Sequence, residues 1–228
     1  MPTGNEFQLL TFQQWTFRYR KGREDFGPLL VLLHGLSGDE TSMWFFARSL
    51  PPGCSLLAPR APFPAAEAGY SWRELAPEKG GFPSVEQLRP SVDSLLTFLD
   101  DWSASARVKT DVIHLMGFSQ GAAMTYAFAL LHPERVHAIA ALSGFLPGDA
   151  GALLEQQPLA GRPVFVSHGS QDALIPVELA RQSASVLKAS GASVTYCETE
   201  TGHKVGADCL KGLESFFGSI YNQPVTPD

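Results

Sequence analysis

Six short apolar runs recur along the chain, each long enough for a β-strand but too short for a typical helix. They are residues 29–35, 55–59, 112–117, 138–144, 164–169 and 193–198. Strands of a parallel sheet are covered by helices on both faces, so their sequences are continuously apolar instead of alternating. These runs therefore predict a mostly parallel sheet.

A segment near the start of the chain has a different pattern. Trp15, Phe17 and Tyr19 alternate with polar residues, and a period of two is typical of a strand with one solvent-exposed face. We expect this strand to lie at or near an edge of the sheet.

Helical periodicity fills the intervals between the apolar runs. Residues 85–102 repeat apolar side chains at steps of three and four. Ser84 and Gln87 have the spacing of a capping box, and Pro90 predicts either a kink in this helix or its true start.

Three further segments predict helices. Residues 121–131 are almost wholly apolar, which predicts a buried central helix. Residues 177–190 predict another helix, closed by Gly191, and residues 205–220 carry a strong amphipathic stripe. The alternation of strands and helices predicts an α/β fold with a doubly wound, mostly parallel sheet. We expect one domain over residues 1–228, with short tails at about 1–6 and 222–228.

Composition narrows the possible partners. The 228-residue chain has a net charge of −6, which argues against nucleic acid or an anionic membrane as the main partner. We expect no stable membrane insertion, because no apolar run approaches the roughly 18 residues of a spanning helix. No signal peptide is visible at the N-terminus. Cys54, Cys197 and Cys209 are odd in number and widely spaced, so we expect buried free thiols and a cytoplasmic location.

Candidate chemistry lies where the run 112–117 meets the helix 121–131. Gly117-Phe118-Ser119-Gln120-Gly121 has the Gly-x-Ser-x-Gly pattern between a strand and a helix. Such a turn exposes the serine hydroxyl and needs small flanking residues. The alternative is that Ser119 only caps the helix, but that role does not explain why an apolar junction keeps two glycines. The pattern favours Ser119 as a nucleophile.

A serine nucleophile needs a histidine base oriented by a carboxylate. Asp172 follows the strand 164–169, and His203 follows the strand 193–198, which gives the chain order serine, acid, histidine expected of this turn. His34 and His168 end strands but occur before Ser119 and Asp172 respectively, which favours structural roles. A metal site built from these two histidines lacks the usual ligand spacing. The predicted chemistry requires no metal and no organic cofactor.

The anionic intermediate of such a reaction needs backbone N–H donors. One is expected from Gln120, the residue after the nucleophile, and the other from Leu36, in the loop after the first apolar run. Gly35 and Gly38 permit the close backbone approach that this loop requires.

Several motifs together resemble the phospholipase/carboxylesterase family, the small serine esterases similar to acyl-protein thioesterases. They are LLHGLSGDE, APRAP, GYSWRE, GFSQGAAM, ALSGFLP, VSHGSQDALIP and GHKV, within residues 26–220. The resemblance implies an α/β-hydrolase fold without a cap domain, the triad Ser119, Asp172 and His203, and an oxyanion hole of Leu36 and Gln120. Ser37 lengthens the usual His-Gly-Leu-Gly-Asp loop, which affects the geometry of the Leu36 donor and the acyl chains admitted beside it.

The expected activity is hydrolysis of carboxylic esters of small molecules through an acyl-enzyme intermediate. Four aromatic residues in loops near strand ends are candidates for the wall of a pocket for an apolar acyl or aryl group. They are Trp44, Tyr70, Trp72 and Phe145. Alternatives are a thioesterase, lysophospholipase, peptidase or lactone hydrolase on the same scaffold, or a non-catalytic binding protein. A homodimer is also compatible with the sequence.

Overall fold

Eight strands form the main sheet in the computed structural model, which describes residues 7–23, 27–75 and 81–221. The strands of the chain are β1 (Gln8–Phe12), β2 (Trp15–Arg20), β3 (Leu29–Leu33), β4 (Leu56–Pro59), β5 (Phe63–Pro64), β6 (Tyr70–Ser71), β7 (Ile113–Phe118), β8 (Val136–Leu142), β9 (Pro163–Gly169) and β10 (Ser193–Thr199). The order in the main sheet is β1-β2-β4-β3-β7-β8-β9-β10, and β5 pairs with β6 in a separate hairpin.

The pairing agrees with the apolar pattern. In the main sheet, the neighbouring strands β4, β3, β7, β8, β9 and β10 all pair in parallel. Strand β2 is antiparallel to both β1 and β4. Each of the six apolar runs forms one of the parallel strands, and all five residues of β3 are buried. The alternating segment forms β2, the second strand from the edge, so the predicted position near an edge is confirmed. Strand β1 at the edge itself was not predicted.

Helices cover both faces of the sheet. They are α1 (Val85–Ala106), α2 (Gln120–Leu131), α3 (Gly151–Leu154), α4 (Val177–Ala189) and α5 (Ala207–Tyr221), with 3₁₀ helices at Ser42–Ser49 and Pro133–Arg135. Side chains of α1, α2 and α4 pack in one apolar core. The first 3₁₀ helix and α5 pack in a second core on the opposite face. The doubly wound architecture predicted from the sequence is therefore confirmed.

Helix ends agree in detail with the expected signals. The Ser84 hydroxyl accepts the Gln87 N–H, and the Gln87 side chain accepts the Ser84 N–H, both at 3.1 Å, which completes the capping box of α1. Pro90 lies inside α1, so it does not mark the start of that helix. Gly191 has φ +89° and follows the end of α4, as expected for a left-handed cap.

The cysteines required a correction. Cys197 of β10 and Cys209 of α5 form a disulfide, so the expectation of three free thiols is wrong for this pair. It holds for Cys54, where burial raises the pKa of the thiol to about 11. Sequence spacing gave no sign of the pair, because β10 and α5 meet only after the chain reverses direction between them.

Three further expectations concern a membrane span, a cap domain and the chain ends. Within the described residues, no helix combines the length and apolar character needed to cross a bilayer. Between β8 and β9 the only helix is α3, which has four residues. The predicted tails at about 1–6 and 222–228 lie outside the described residues.

Candidate active site

Ser119 lies in the turn between β7 and α2 and has strained backbone angles. Its φ of 55° and ψ of −118° are unusual for a residue with a side chain. A Cβ at Gly117 would collide with the Gly121 carbonyl, and a Cβ at Gly121 would collide with the Leu33 carbonyl. Both glycines are therefore required by the close packing of strand, turn and helix.

Asp172 and His203, widely separated in sequence from Ser119, lie beside it in the structure. The Ser119 hydroxyl is 3.0 Å from His203 Nε2, and His203 Nδ1 is 2.7 Å from Asp172 Oδ2. Because a carboxylate can only accept, Nδ1 carries the proton and Nε2 is left to accept the Ser119 hydroxyl proton. All three candidates follow the carboxyl ends of parallel strands, namely β7, β9 and β10.

The buried carboxylate of Asp172 is held in its charged form. Its Oδ1 accepts the N–H groups of Leu174 at 2.9 Å and Ile175 at 3.0 Å. Burial raises the pKa of Asp172, but these hydrogen bonds and the one to His203 outweigh burial and lower the pKa below its usual value. An ionised Asp172 can therefore orient the imidazole and stabilise a positive charge on it.

The two expected oxyanion donors border Ser119. A Cβ at Gly35 would lie 3.2 Å from Ser119 Cβ, so the loop carrying Leu36 runs directly beside the nucleophile. Gln120 begins α2. Within the described part of the chain, neither the Leu36 N–H nor the Gln120 N–H donates a hydrogen bond. Both groups are thus available to a ligand oxygen.

A buried histidine shapes the loop that carries Leu36. His34 Nε2 accepts the Ala61 N–H at 3.0 Å, so His34 Nδ1 is the protonated nitrogen and donates to the Gly35 carbonyl at 2.7 Å. Burial lowers the pKa of His34, which favours this neutral form. The indole of Trp72 donates to the His34 carbonyl at 2.8 Å and braces the same loop from behind.

An apolar cavity of about 520 Å³ adjoins the nucleophile, between the Leu36 loop and the first 3₁₀ helix. We call it the oxyanion-loop cavity. Its apolar lining residues are Leu36, Met43, Phe45, Phe46, Phe118 and Val205. Phe118 precedes Ser119 and its ring centroid lies 5.0 Å from that of His203, so the cavity borders the candidate triad.

The four aromatic residues expected at a pocket wall are dispersed. Trp72 is fully buried, so it cannot form the wall of an open pocket. It packs behind the loop that carries Leu36 instead. Phe145 is buried and its ring lies 4.4 Å from that of Phe82. Tyr70 lies beneath the guanidinium of Arg60. Trp44 packs on Phe7, and it belongs to the same 3₁₀ helix as four residues that line the oxyanion-loop cavity.

Sequence reasoning identified Leu36 but missed most of the other residues of this cavity. Met43 and Phe46 lie in a 3₁₀ helix too short for a clear periodic signal, and Val205 was attributed to the stripe of α5. Their proximity to Ser119 depends on the path of two loops. The only local signal was the row of large apolar residues at 43–46, close behind the Leu36 loop.

Comparisons with known proteins identify the family of the chain. The model of the family described as phospholipase/carboxylesterase matches residues 19–220. A protein of Oryza sativa subsp. japonica called a probable inactive carboxylesterase is 29% identical over 78% of this chain and 76% of its own. Carboxylesterase SOBER1 of Arabidopsis thaliana is 28% identical over 82% of this chain and 88% of its own.

Solved structures give the same result for the fold. The crystal structure of esterase PE8 is 26% identical, with a TM-score of 0.77, and the match covers 89% of this chain and 97% of that one. Because one relative is called inactive, family likeness has to be weighed together with the atoms around Ser119.

Proposed function

Since the chain belongs to the phospholipase/carboxylesterase family of α/β-hydrolases, we propose that it cleaves carboxylic esters with Ser119 as nucleophile, His203 as base and Asp172 as the orienting acid. The observation that carries this proposal is the unbroken pair of contacts from the Ser119 hydroxyl through His203 to Asp172, at 3.0 and 2.7 Å. Such a chain of contacts is what a serine needs to lose its proton as it attacks a carbonyl carbon.

The reaction proceeds in two halves. His203 Nε2 takes the Ser119 proton while the hydroxyl oxygen bonds to the ester carbonyl carbon, and the carbonyl oxygen becomes an anion. His203 then gives the proton to the departing alkoxide oxygen as the acyl–oxygen bond breaks, which leaves an acyl-Ser119 ester. In the second half His203 takes a proton from water, the hydroxide attacks the acyl carbon, and Ser119 departs with the proton.

The anion is stabilised by the N–H groups of Leu36 and Gln120, which the reaction uses without rearranging the backbone. The loop with the inserted Ser37 is compatible with this proposal, because Ser37 has φ 64° and the loop closes with a hydrogen bond from the Gly38 N–H to the Gly35 carbonyl. Losing one such donor typically costs about 3 kcal/mol of barrier stabilisation.

The substrate follows from the oxyanion-loop cavity. Its wall is mainly aromatic and aliphatic, and its volume falls within the range of small-molecule sites. We propose that an apolar acyl or aryl group of the ester occupies it. An uncharged carbonyl substrate with an apolar acyl group would bury its chain there and leave its alcohol part toward solvent.

Two expectations from the sequence stay predictions. The cytoplasmic location rested partly on three free thiols, and the Cys197–Cys209 disulfide removes that part of its support. The homodimer stays a prediction as well.

Labelling and turnover of purified protein test the proposal. A fluorophosphonate should attach to the peptide that carries Ser119, and Ser119→Ala should lose both the label and p-nitrophenyl ester hydrolysis, by at least about 10⁴-fold in kcat. Ser105→Ala, an exposed serine in the last turn of α1, is the matched control and should behave like the parent. Full turnover by folded Ser119→Ala would exclude the mechanism.

The same preparation separates the related activities. Matched oxoester, thioester, lysophospholipid and anilide substrates with one acyl chain would distinguish an esterase from a thioesterase, lysophospholipase or peptidase. A non-catalytic protein, the alternative suggested by the Oryza sativa relative that is called a probable inactive carboxylesterase, would take up no fluorophosphonate label and turn over none of the four substrates.

A further inference from the structure

A second histidine contacts the carboxylate of the candidate triad. His168 lies near the end of β9 and is only 1% exposed. Its Nε2 is 3.3 Å from Asp172 Oδ2, the same oxygen that receives the proton-bearing nitrogen of His203. The reaction described above assigns no role to this ring.

The His168 ring also holds the turn that follows Asp172. Its Nε2 lies 2.9 Å from the Ile175 carbonyl oxygen, and because a carbonyl can only accept, Nε2 carries a proton and donates it. The Ile175 N–H donates in turn to Asp172 Oδ1. Ile175 thus accepts a hydrogen bond from His168 with its carbonyl and donates one to Asp172 with its backbone N–H.

The protonation of His168 follows from its surroundings. Its Nδ1 is buried and has no hydrogen-bond partner within the described residues. A proton on this nitrogen would leave a buried donor unsatisfied, at a cost of desolvation without compensation. The contacts therefore favour the tautomer of His168 with its proton on Nε2.

The charged neighbours of His168 on β10 and in the loop after β9 have hydrogen-bond partners of their own. Glu198 is its register partner on β10, but the Glu198 carboxylate is engaged by Arg181 at 2.6 and 2.9 Å and by the Tyr196 hydroxyl at 2.7 Å. On the other side lie Asp172 and, beyond it, His203. The His168 Nε2–H group therefore donates to the Ile175 carbonyl at 2.9 Å and lies beside Asp172 Oδ2, with Nε2 at 3.3 Å from that oxygen.

From these contacts we propose that His168 is a positioning residue, which fixes the rotation of the Asp172 carboxylate and so the direction in which His203 points. The inference rests on the proposed function. A carboxylate on a single bond can turn, and its two oxygens are equivalent until neighbours distinguish them. Two backbone N–H groups hold Oδ1, while the Nε2–H dipole beside Oδ2 keeps that oxygen toward His203.

Two substitutions of similar length separate the N–H group from the shape of the ring. His168→Gln places an amide N–H at nearly the same distance from the backbone as Nε2, whereas His168→Met fills the space without a donor. We expect His168→Met to lower kcat by about 10- to 100-fold through misplacement of the base, with KM within about 2-fold of the parent. His168→Gln should retain kcat to within about 3-fold, since the donor remains.

Two measurements keep a folding defect apart from mispositioning. Rates are expressed per active site, titrated with fluorophosphonate, and a thermal melt confirms a folded state at the assay temperature. If His168→Met does not fold, His168→Asn replaces it, because its shorter amide cannot reach the Ile175 carbonyl. Proton NMR of the His203 Nδ1–H provides a signature independent of turnover. This signal should move or broaden in His168→Met and stay close to the parent position in His168→Gln.

The outcomes separate the two proposals. A folded His168→Met with parental kcat and an unshifted Nδ1–H signal would refute the positioning role, as would an equal loss in the Gln and Met variants. An inactive, unlabelled parent protein would instead refute the proposed function, while the NMR comparison would still report on the contact between His168 and Asp172.

Discussion

Removing the disulfide between Cys197 and Cys209 should destabilise the protein while sparing the chemistry. The bond spans 12 positions, and restricting the unfolded chain over a loop of this length is worth about 3 kcal/mol at 25 °C. In a protein of this size each kcal/mol corresponds to about 2–4 °C in the unfolding midpoint, so Tm should fall by about 6–12 °C.

Turnover at 25 °C should change by less than about 2-fold, because the enclosed His203 loop has its own attachments. The Ser170 N–H donates to the Thr199 carbonyl at 2.8 Å, and the Gln171 N–H donates to the Thr201 carbonyl at 2.9 Å. These bonds join the His203 loop to the Asp172 loop directly and do not depend on the sulfur bridge.

The assay compares thermal unfolding of the parent and of the double variant Cys197→Ala, Cys209→Ala, each with and without reductant. Reductant should bring the parent to the Tm of the double variant and leave the double variant unchanged. Cys54→Ala is the matched control, since it removes a buried thiol that forms no bridge. A parent that ignores reductant and carries two extra hydrogens by intact mass would show that the pair is not joined.

Two more expectations can be checked on the same preparations. His114 is fully buried, and burial lowers its pKa from 6.5 to about 3. Between these two pH values the unfolded chain binds a proton at His114 that the folded state does not bind. The stability present above pH 6.5 is therefore lost as the pH falls towards 3. The loss of unfolding free energy at pH 5 is about 2 kcal/mol. In urea titrations, His114→Phe should therefore reduce the difference in unfolding free energy between pH 7 and pH 5 by that amount. An equal difference in the parent and the variant would contradict this expectation. Phe45, exposed at the mouth of the oxyanion-loop cavity, should bind acyl chains: Phe45→Ala should lower kcat/KM for an octanoyl ester about 5-fold and spare the acetyl ester, through loss of about 1 kcal/mol of apolar contact. Phe82→Ala, an exposed phenylalanine outside the cavity, should lower neither, and a parallel loss on both esters would rule out chain binding by Phe45.

Patterns local in sequence predicted most of the fold. A buried parallel strand must be apolar at successive positions, so the sequence of residues 29–33 was sufficient to predict β3. The capping box at Ser84 and Gln87 is equally local, because the two residues satisfy each other's backbone groups within one turn of helix. The Gly-x-Ser-x-Gly turn was readable for the same reason, since its glycines avoid collisions within a few residues of Ser119 and with the neighbouring strand.

Features that depend on distant segments escaped prediction. Strand β1 exists because Gln8–Phe12 pairs with β2 across a tight turn, and its apolar residues, Leu9, Leu10 and Phe12, form neither a continuous nor a strictly alternating pattern. The disulfide needs β10 and α5 to meet at one point. The wall of the oxyanion-loop cavity requires the path of the Leu36 loop over the first 3₁₀ helix. In each case the decisive contact joins residues whose local patterns are ordinary.

The position of Trp72 shows how the site is held together from behind. Its indole donates to the His34 carbonyl, which fixes the loop carrying Leu36, while its own backbone N–H donates to the Gln120 side chain at 2.9 Å. One buried residue therefore links the two segments that carry the proposed oxyanion donors. Gly121 adds a second link, because its backbone packs against the carbonyls of Leu33 and His34 with no space for a side chain. The separation of the two proposed donors is thus set by Trp72 and Gly121, and a preorganised oxyanion hole needs such rigidity.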